Sequence, residues 1–353
     1  MKNTPIEWTD HTHNHWRGCT KVSDGCAHCY AEKGARRNPK VLGQWGPGKP
    51  RVLASLATRR EPLRWNREAA EAIEEALHDF GSEEYVAPPR PRVFSASYSD
   101  WLDPEVPAEW LAGLLDLIHQ TPNLDWQLLT KRPENWRGRI AAALHWKQVN
   151  EDLATIEDAW LVDWLRGNPP RHVWIGATVE NQAMADRRIP HLLQIPAAIR
   201  FLSCEPLLGP VDLGDWIYLC PECDGNGCAS RKDCVNGYVN QGIDWVIAGG
   251  ESGGPLSRPM HPDWPRSLRD QCADAGVPFF FKQWGDLAPA SPDTADTSRE
   301  ERFLDPYGNN LTGIPIDQLP SDSVLMDRLG KKAAGHLLDG HLHRQFPTSA
   351  SQD

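Results

Sequence analysis

No run of apolar residues in this chain approaches the length of about eighteen that a membrane-crossing helix needs. No apolar segment follows the N-terminus as a signal peptide would. The expectation is a cytoplasmic protein with no membrane partner. Positive charge is also in deficit: 37 Lys and Arg stand against 48 Asp and Glu, a formal net charge of −11. That balance argues against wholesale binding to a phosphate backbone, which needs a basic face, but it leaves room for a local basic groove. An even cysteine count is missing too. Nine cysteines would leave one unpaired if all formed disulfides. Seven lie in two tight groups, which in a reducing compartment indicates metal binding rather than cross-linking.

The 353 residues, 40% of them hydrophobic, are enough for one large α/β domain or two smaller ones. Tryptophan is frequent, with 16 residues. Most are expected to be large core side chains with one polar handle each, and a minority to serve as stacking platforms for a base.

The first cysteine group organises the chain. In EWTDHTHNHWRGCTKVSDGCAHCYAE (7–32), Cys19, Cys26 and Cys29 are joined by Gly18 and Gly25, each directly before a cysteine. Glycine permits the tight turns that bring three thiolates towards one point. Three thiolates suit a soft metal ion with a fourth ligand from elsewhere, or an iron–sulfur cluster. The basic stretch that follows (33–62) reads as a solvated loop; the alternative is a lid carrying Arg36, Arg37, Lys40 and Lys49 towards an anionic substrate. Residues 63–80 have helical spacing.

From there a short apolar run ending in polar residues recurs, at 92–100, 126–132, 172–181, 199–207, 244–254 and 277–285, with amphipathic segments between. Near-continuous apolar strands alternating with helices predict a buried parallel sheet. With one further strand leading into the cysteine loop, the expected fold class is α/β, an open or closed parallel β/α barrel. Its functional residues would gather at the C-terminal strand ends. Those ends carry Ser97, Ser99 and Asp100; Thr130, Lys131 and Arg132; Thr178, Glu180 and Asn181; Cys204 and Glu205; Glu251 and Ser252; and Lys282 and Gln283. The bland alternative is that these groups solvate the rim. A doubly wound sheet is the structural competitor, and GGESGG (249–254) comes too late for its phosphate fingerprint.

A second cysteine group, Cys220, Cys223, Cys228 and Cys234, has C-x2-C-x4-C-x5-C spacing. It fits a closed structural zinc site stapling an insertion over 218–240, with a nucleic-acid-binding knuckle bearing Arg231 and Lys232 as the minor reading. The expected organisation is a barrel over 1–285 interrupted by that insertion, then a C-terminal extension over 286–353 packing on it. His341 and His343 in that extension make only a weak metal claim.

IEWTD, GCTKVSDGCAHCYAE, LLTKRPENW, WIGATVEN, SCEPLLGPVDL, DWVIAGGESG, RPMHPDWPRSLRDQC, VPFFFKQWG and GKKAAGHLLDG together resemble the phage- and prophage-associated three-cysteine-motif proteins. The N-terminal motif is also similar to radical S-adenosylmethionine enzymes, notably the spore photoproduct lyase-like branch. The resemblance implies a partial barrel of the radical S-adenosylmethionine type. It further implies a 4Fe-4S cluster held by Cys19, Cys26 and Cys29, with S-adenosylmethionine on the open iron, and cleavage of the cofactor to a hydrogen-abstracting radical. The spacing here is C-x6-C-x2-C, where that superfamily usually has C-x3-C-x2-C. Gly249-Gly250-Glu251 lies on a late strand rather than after the second.

On this reading Ser97, Asp100, Thr178, Glu180, Gly249, Gly250 and Glu251 are candidates for the cofactor. Lys131 and Glu205 are candidates for cofactor or substrate polar groups. Cys204 would be a hydrogen-atom donor, its alternative role being that of a small packed hydrophobe. The substrate stays open, with nucleic-acid or nucleoside modification suggested by the phage resemblance, and an electron donor or partner protein is implied. Two competing readings are a zinc-dependent nucleic-acid-binding or processing protein and a non-catalytic phage accessory protein.

Overall fold

The computed structural model describes residues 1–80, 87–150, 158–217, 242–290 and 301–348. Cys220, Cys223, Cys228 and Cys234, and with them the expected zinc insertion, lie outside the described residues. Seven parallel strands form one curled, half-barrel sheet: β1 (His11–His13), β2 (Arg92–Ser95), β3 (Asp125–Thr130), β4 (Val173–Thr178), β5 (Ile199–Cys204), β6 (Trp245–Gly249) and β7 (Phe279–Gln283). Their spatial order is their chain order, from β1 at one edge to β7 at the other. A doubly wound sheet would reverse direction partway, so that competitor is set aside.

Helices Ala108–His119, Trp136–Asn150, Gln182–Leu193 and Asp263–Ala275 fall between consecutive strands. Local chemistry fixes their ends. Asn181 caps one, its side chain accepting from the Met184 N–H at 3.1 Å. Gly276, at φ 66°, closes another in the left-handed conformation that glycine adopts without strain.

Side-chain alternation along each strand separates two cores. Val93, Trp126, Leu128, Ile175, Leu202 and Val246 belong to the layer shared with the helices. Trp8, Phe94, Trp174, Phe201, Trp245, Ile247 and Phe280 pack together on the concave side and fill the floor of the half-barrel. Trp16, Trp65, Trp101, Trp126, Trp164 and Trp245 are among the largest fully buried side chains, in keeping with a core role for most tryptophans.

Both sheet edges are covered. Phe281 N–H donates to the His343 carbonyl at 2.9 Å and Gln345 N–H to the Phe279 carbonyl at 3.2 Å, so the stretch around 343–345 runs against β7 and satisfies backbone groups an edge would expose. Met1 and Lys2 do the same for β1. The rest of the extension builds a small antiparallel sheet, β8 (Leu287–Pro289), β9 (Glu301–Leu304) and β10 (Val324–Arg328), with β10 in the middle.

Two expectations need correction. The stretch after the third cysteine is helical over Tyr30–Arg37, where a loop was expected. Ala31 and Ala35 are buried one turn apart, and Glu32 and Arg36 pair at 3.0 Å on the outer side. A short helix, Pro39–Leu42, follows, and the long helix after it begins at Leu56 rather than near residue 63 and carries Pro62 inside it. Ser55 Oγ accepts from the Thr58 N–H at 3.3 Å and starts it early.

Candidate functional site

The cysteine loop and the Tyr30–Arg37 helix lie against the C-terminal strand ends, fastened by polar contacts from several strands. After β2, the Ser97 carbonyl accepts from the Tyr30 hydroxyl at 2.9 Å, and Ser97 Oγ accepts from Asn14 at 2.8 Å. After β3, Arg132 donates to the Thr20 carbonyl at 2.7 Å and approaches Cys19 Sγ at 3.8 Å. After β4, Glu180 accepts from Ser23 Oγ at 2.6 Å. After β6, Glu251 meets His28 at 2.9 Å, the Gly253 carbonyl accepts from Lys33 at 2.8 Å, and Arg258 donates to the Asp24 carbonyl at 3.0 Å. The strand ends therefore serve in large part as latches for the loop.

The carboxylates expected at a cofactor are used in this way. Asp100, 4% exposed, accepts from Thr130 Oγ1 at 2.7 Å, the Lys131 N–H at 2.9 Å and Arg132 at 2.9 Å. Glu180 is fully buried and spans Ser23 and Arg188, the latter at 2.6 Å. Burial by itself would raise the Glu251 pKa, but hydrogen bonds from Arg258 and His28 outweigh it and hold the carboxyl below its usual range. Asp100, Glu180 and Glu251 thus bind the chain's own cations and loop, not an open face.

Cys204 is placed differently from its candidate role as hydrogen donor. It shares the helix-facing side of β5 with Leu202, is completely buried, and lies close enough to Cys272 of the Asp263–Ala275 helix for the two thiols to interact. Burial pushes its thiol far up. It is a packed hydrophobe, because strand alternation turns Ser203 rather than Cys204 to the concave side.

The Gly-Gly pair has a packing reason of its own. Gly250 lies against the Trp284 carbonyl so closely that no Cβ would fit. Gly249 sits beside the Glu205 side chain, 3.5 Å from where its Cβ would be. Glu205 pairs with Lys282 at 2.6 Å.

One side chain at the mouth stands apart. Lys131 Nζ is held by Thr178 Oγ1 at 3.2 Å, and no ion pair joins it to a carboxylate among the described residues. Its neighbours Arg132, Arg188, Arg258 and Lys282 are each paired, with Asp100, Glu180, Glu251 and Glu205. Lys131 also lies near enough to Cys29 to favour its thiolate.

The three thiols are free and half-buried. Burial and the Asp100 charge push Cys19 up to about 12, with Arg132 acting against them. Burial raises Cys29 as well, opposed by the N–H groups of Glu32 and Ala31 at the start of the following helix and by Lys131. Among the described residues no three His, Cys, Asp or Glu side chains converge where a single metal ion could sit.

Sequence reasoning passed over His28, Ser23, Arg188 and Arg258. The first two stand inside the cysteine motif and Arg258 inside RPMHPDW, so each stretch carried a signal. Arg188 carried none, since its partner is set by folding.

Gly25 is required by close approach: a Cβ there would overlap the Glu180 carboxylate. Gly25→Ala should leave the buried Glu180–Arg188 pair in place and lift the loop. The expected result is a protein that stays folded by circular dichroism while the amides of residues 19–29 exchange faster in hydrogen–deuterium exchange. Wild-type exchange would show that the loop tolerates the added Cβ.

No curated protein and no solved structure matches the chain. A family model described as a protein of unknown function (DUF5131) matches residues 3–347, and the chain belongs to that family.

Proposed function

We propose that this protein is an iron–sulfur, S-adenosylmethionine-dependent radical enzyme, with the cluster on Cys19, Cys26 and Cys29. The observation that carries the reading is the placement of three free thiols, on one loop, over the C-terminal mouth of a parallel half-barrel. Parallel β/α folds gather their chemistry at that end.

The donor set suits the group. Three thiolates could each take a different iron of a cuboidal cluster and leave the fourth iron open, and soft sulfur donors suit iron. The cationic side chains of Arg132 and Lys131 beside Cys19 and Cys29 offset the negative charge that thiolates bring. Bound there, cluster and cofactor together would supply one-electron cleavage of a sulfonium and abstraction of a hydrogen atom.

The chain's own residues have separate tasks. Glu180, Glu251 and Arg132 hold the loop at fixed height above the mouth. Lys131, without a carboxylate of its own, offers its ammonium to a carboxylate of the cofactor, with Thr178 fixing its direction. The aromatic floor of Phe94, Trp174, Phe201 and Trp245 excludes water from below, which protects a reactive species. The substrate class we favour is a nucleoside or nucleic acid.

The test is production of 5′-deoxyadenosine from S-adenosylmethionine by reduced, reconstituted protein. Lys131→Met should weaken S-adenosylmethionine binding roughly 10- to 100-fold, as loss of one charge-assisted hydrogen bond does, while iron content stays at the wild-type level. Unchanged affinity, measured by equilibrium binding, would remove Lys131 from the cofactor site. A protein that binds zinc and no iron would replace the radical reading with the zinc-dependent nucleic-acid one.

A further inference from the structure

Residues 33–60 hold eight Lys and Arg and no Asp or Glu, in a chain whose formal net charge is −11. This stretch is built into the mouth. Its centre runs beside the first cysteine: Cys19 N–H donates to the Gln44 carbonyl at 3.3 Å, and Gly46 N–H donates to the Cys19 carbonyl at 2.9 Å. The buried Arg51 guanidinium fixes the turn, donating to the Gly46 and Lys49 carbonyls at 3.2 and 2.8 Å and pairing with Asp103 at 2.9 Å.

The carboxylates that border it are already engaged. Glu32 takes Lys21 at 2.7 Å and Arg36 at 3.0 Å. Glu105 takes the Gly48 N–H at 2.7 Å, Thr20 at 3.1 Å and Arg51 at 3.4 Å. Arg37, Lys40 and Lys49 are exposed, and among the described residues no ion pair joins them to a carboxylate. Arg37 ends the Tyr30–Arg37 helix and Lys40 lies in the Pro39–Leu42 helix behind it. At the other end of the first helix, Tyr30 is 54% exposed. Its hydroxyl is anchored on the Ser97 carbonyl, and its ring stands edge-on to Tyr98 with centroids 6.0 Å apart.

Unpaired cations beside a fixed, exposed ring are the two parts that hold a single strand: the cations follow the phosphates and the ring stacks a base. A base must also leave a duplex before it can enter a mouth of this kind. We propose that this basic rim binds the phosphate backbone of single-stranded nucleic acid, with Arg37, Lys40 and Lys49 on phosphates and Tyr30 stacked on a base. The acidic remainder of the protein repels the strand and confines it to the rim. The inference deepens the reading of the mouth and rests on it for the purpose of binding, which is to present a base to the cysteine loop.

The test uses full-length protein prepared without iron, so that the outcome does not depend on the cluster. Fluorescence anisotropy follows a labelled oligothymidylate, with an oligouridylate as the RNA arm; the tighter of the two identifies the sugar. The logarithm of the affinity should fall against the logarithm of salt with a slope of about −2, at about 0.7 per phosphate contact. Arg37→Gln, Lys40→Gln and Lys49→Gln combined should remove that dependence and weaken binding at least roughly tenfold at low salt. Lys2→Gln, Arg64→Gln and Arg166→Gln combined remove as much exposed charge elsewhere and should bind like the wild type. Tyr30→Phe keeps the ring and should also bind like the wild type, whereas Tyr30→Ala should lose roughly 5- to 100-fold. The proposal is overturned if neither oligonucleotide binds, if the rim and control variants lose affinity alike, or if polyglutamate or a duplex binds as well as the single strands. A protein that binds no strand yet makes 5′-deoxyadenosine overturns the rim and keeps the radical reading; one that binds a strand but takes up no iron does the reverse.

Discussion

Anaerobic reconstitution with iron and sulfide should load about four irons per chain at the N-terminal loop. Cys19→Ala, Cys26→Ala and Cys29→Ala should each bring that iron to background. The expectation is all-or-none because three thiolates are the fewest that hold a cubic cluster while leaving one iron open. Burial disfavours Cys19 and Cys29 as thiolates, so they rest as neutral thiols, and a bound cluster would have to offset the cost of deprotonating them. Iron and sulfide analysis checks the result, with electron paramagnetic resonance after reduction as the second readout. A signal that changes on adding S-adenosylmethionine supports the open iron. Full iron loading in any one of the three variants would remove that cysteine from the ligand set.

Glu180→Ala should destabilise the fold by about 3–5 kcal/mol, because it leaves the Arg188 guanidinium buried without its counter-charge. Both side chains are essentially inaccessible, so solvent cannot substitute for the lost partner. The same change frees Ser23, and with it the turn that carries Cys26. Ser23→Ala separates the two effects. It keeps the Glu180–Arg188 pair, should cost only about 1.5–3 kcal/mol for one hydrogen bond to a charged group, and should act mainly on cluster loading. Denaturant unfolding of the variants gives the stability difference, and iron content gives the loop effect. A Glu180→Ala protein as stable as Ser23→Ala would mean that the buried pair contributes little beyond the latch.

Much of the architecture was legible before folding, because it rests on short-range patterns. β-rich apolar runs such as HVWIGAT and DWVIAGG, recurring between amphipathic helices, read as strands buried on both faces, and the Gly276 stop is local backbone chemistry. The cysteine motif was legible for the same reason, since three thiols within one loop are close whatever else the chain does. Strand ends were found as places, but their roles were not. Asp100, Glu180 and Glu251 are cofactor candidates in the sequence, yet each is committed to an arginine that sequence distance or facing direction hides: Arg132, Arg188 and Arg258. Cys204 shows the finer limit, since a shift of one residue along a strand reverses the face and no composition signal fixes that register.

By itself, then, the sequence determined an α/β chain with parallel strands alternating with helices, a three-thiol loop near the start and no apolar run long enough to cross a bilayer. Only the tertiary structure decided that the loop is latched over the mouth, that Lys131 sits there held by Thr178 with no carboxylate partner among the described residues, and that a cavity opens at the starts of the first four strands. The physical reason is common to all three. Strand and helix periodicities act over a few residues, whereas pairing of charges and enclosure of space depend on which distant side chains the closed sheet brings within a few ångströms.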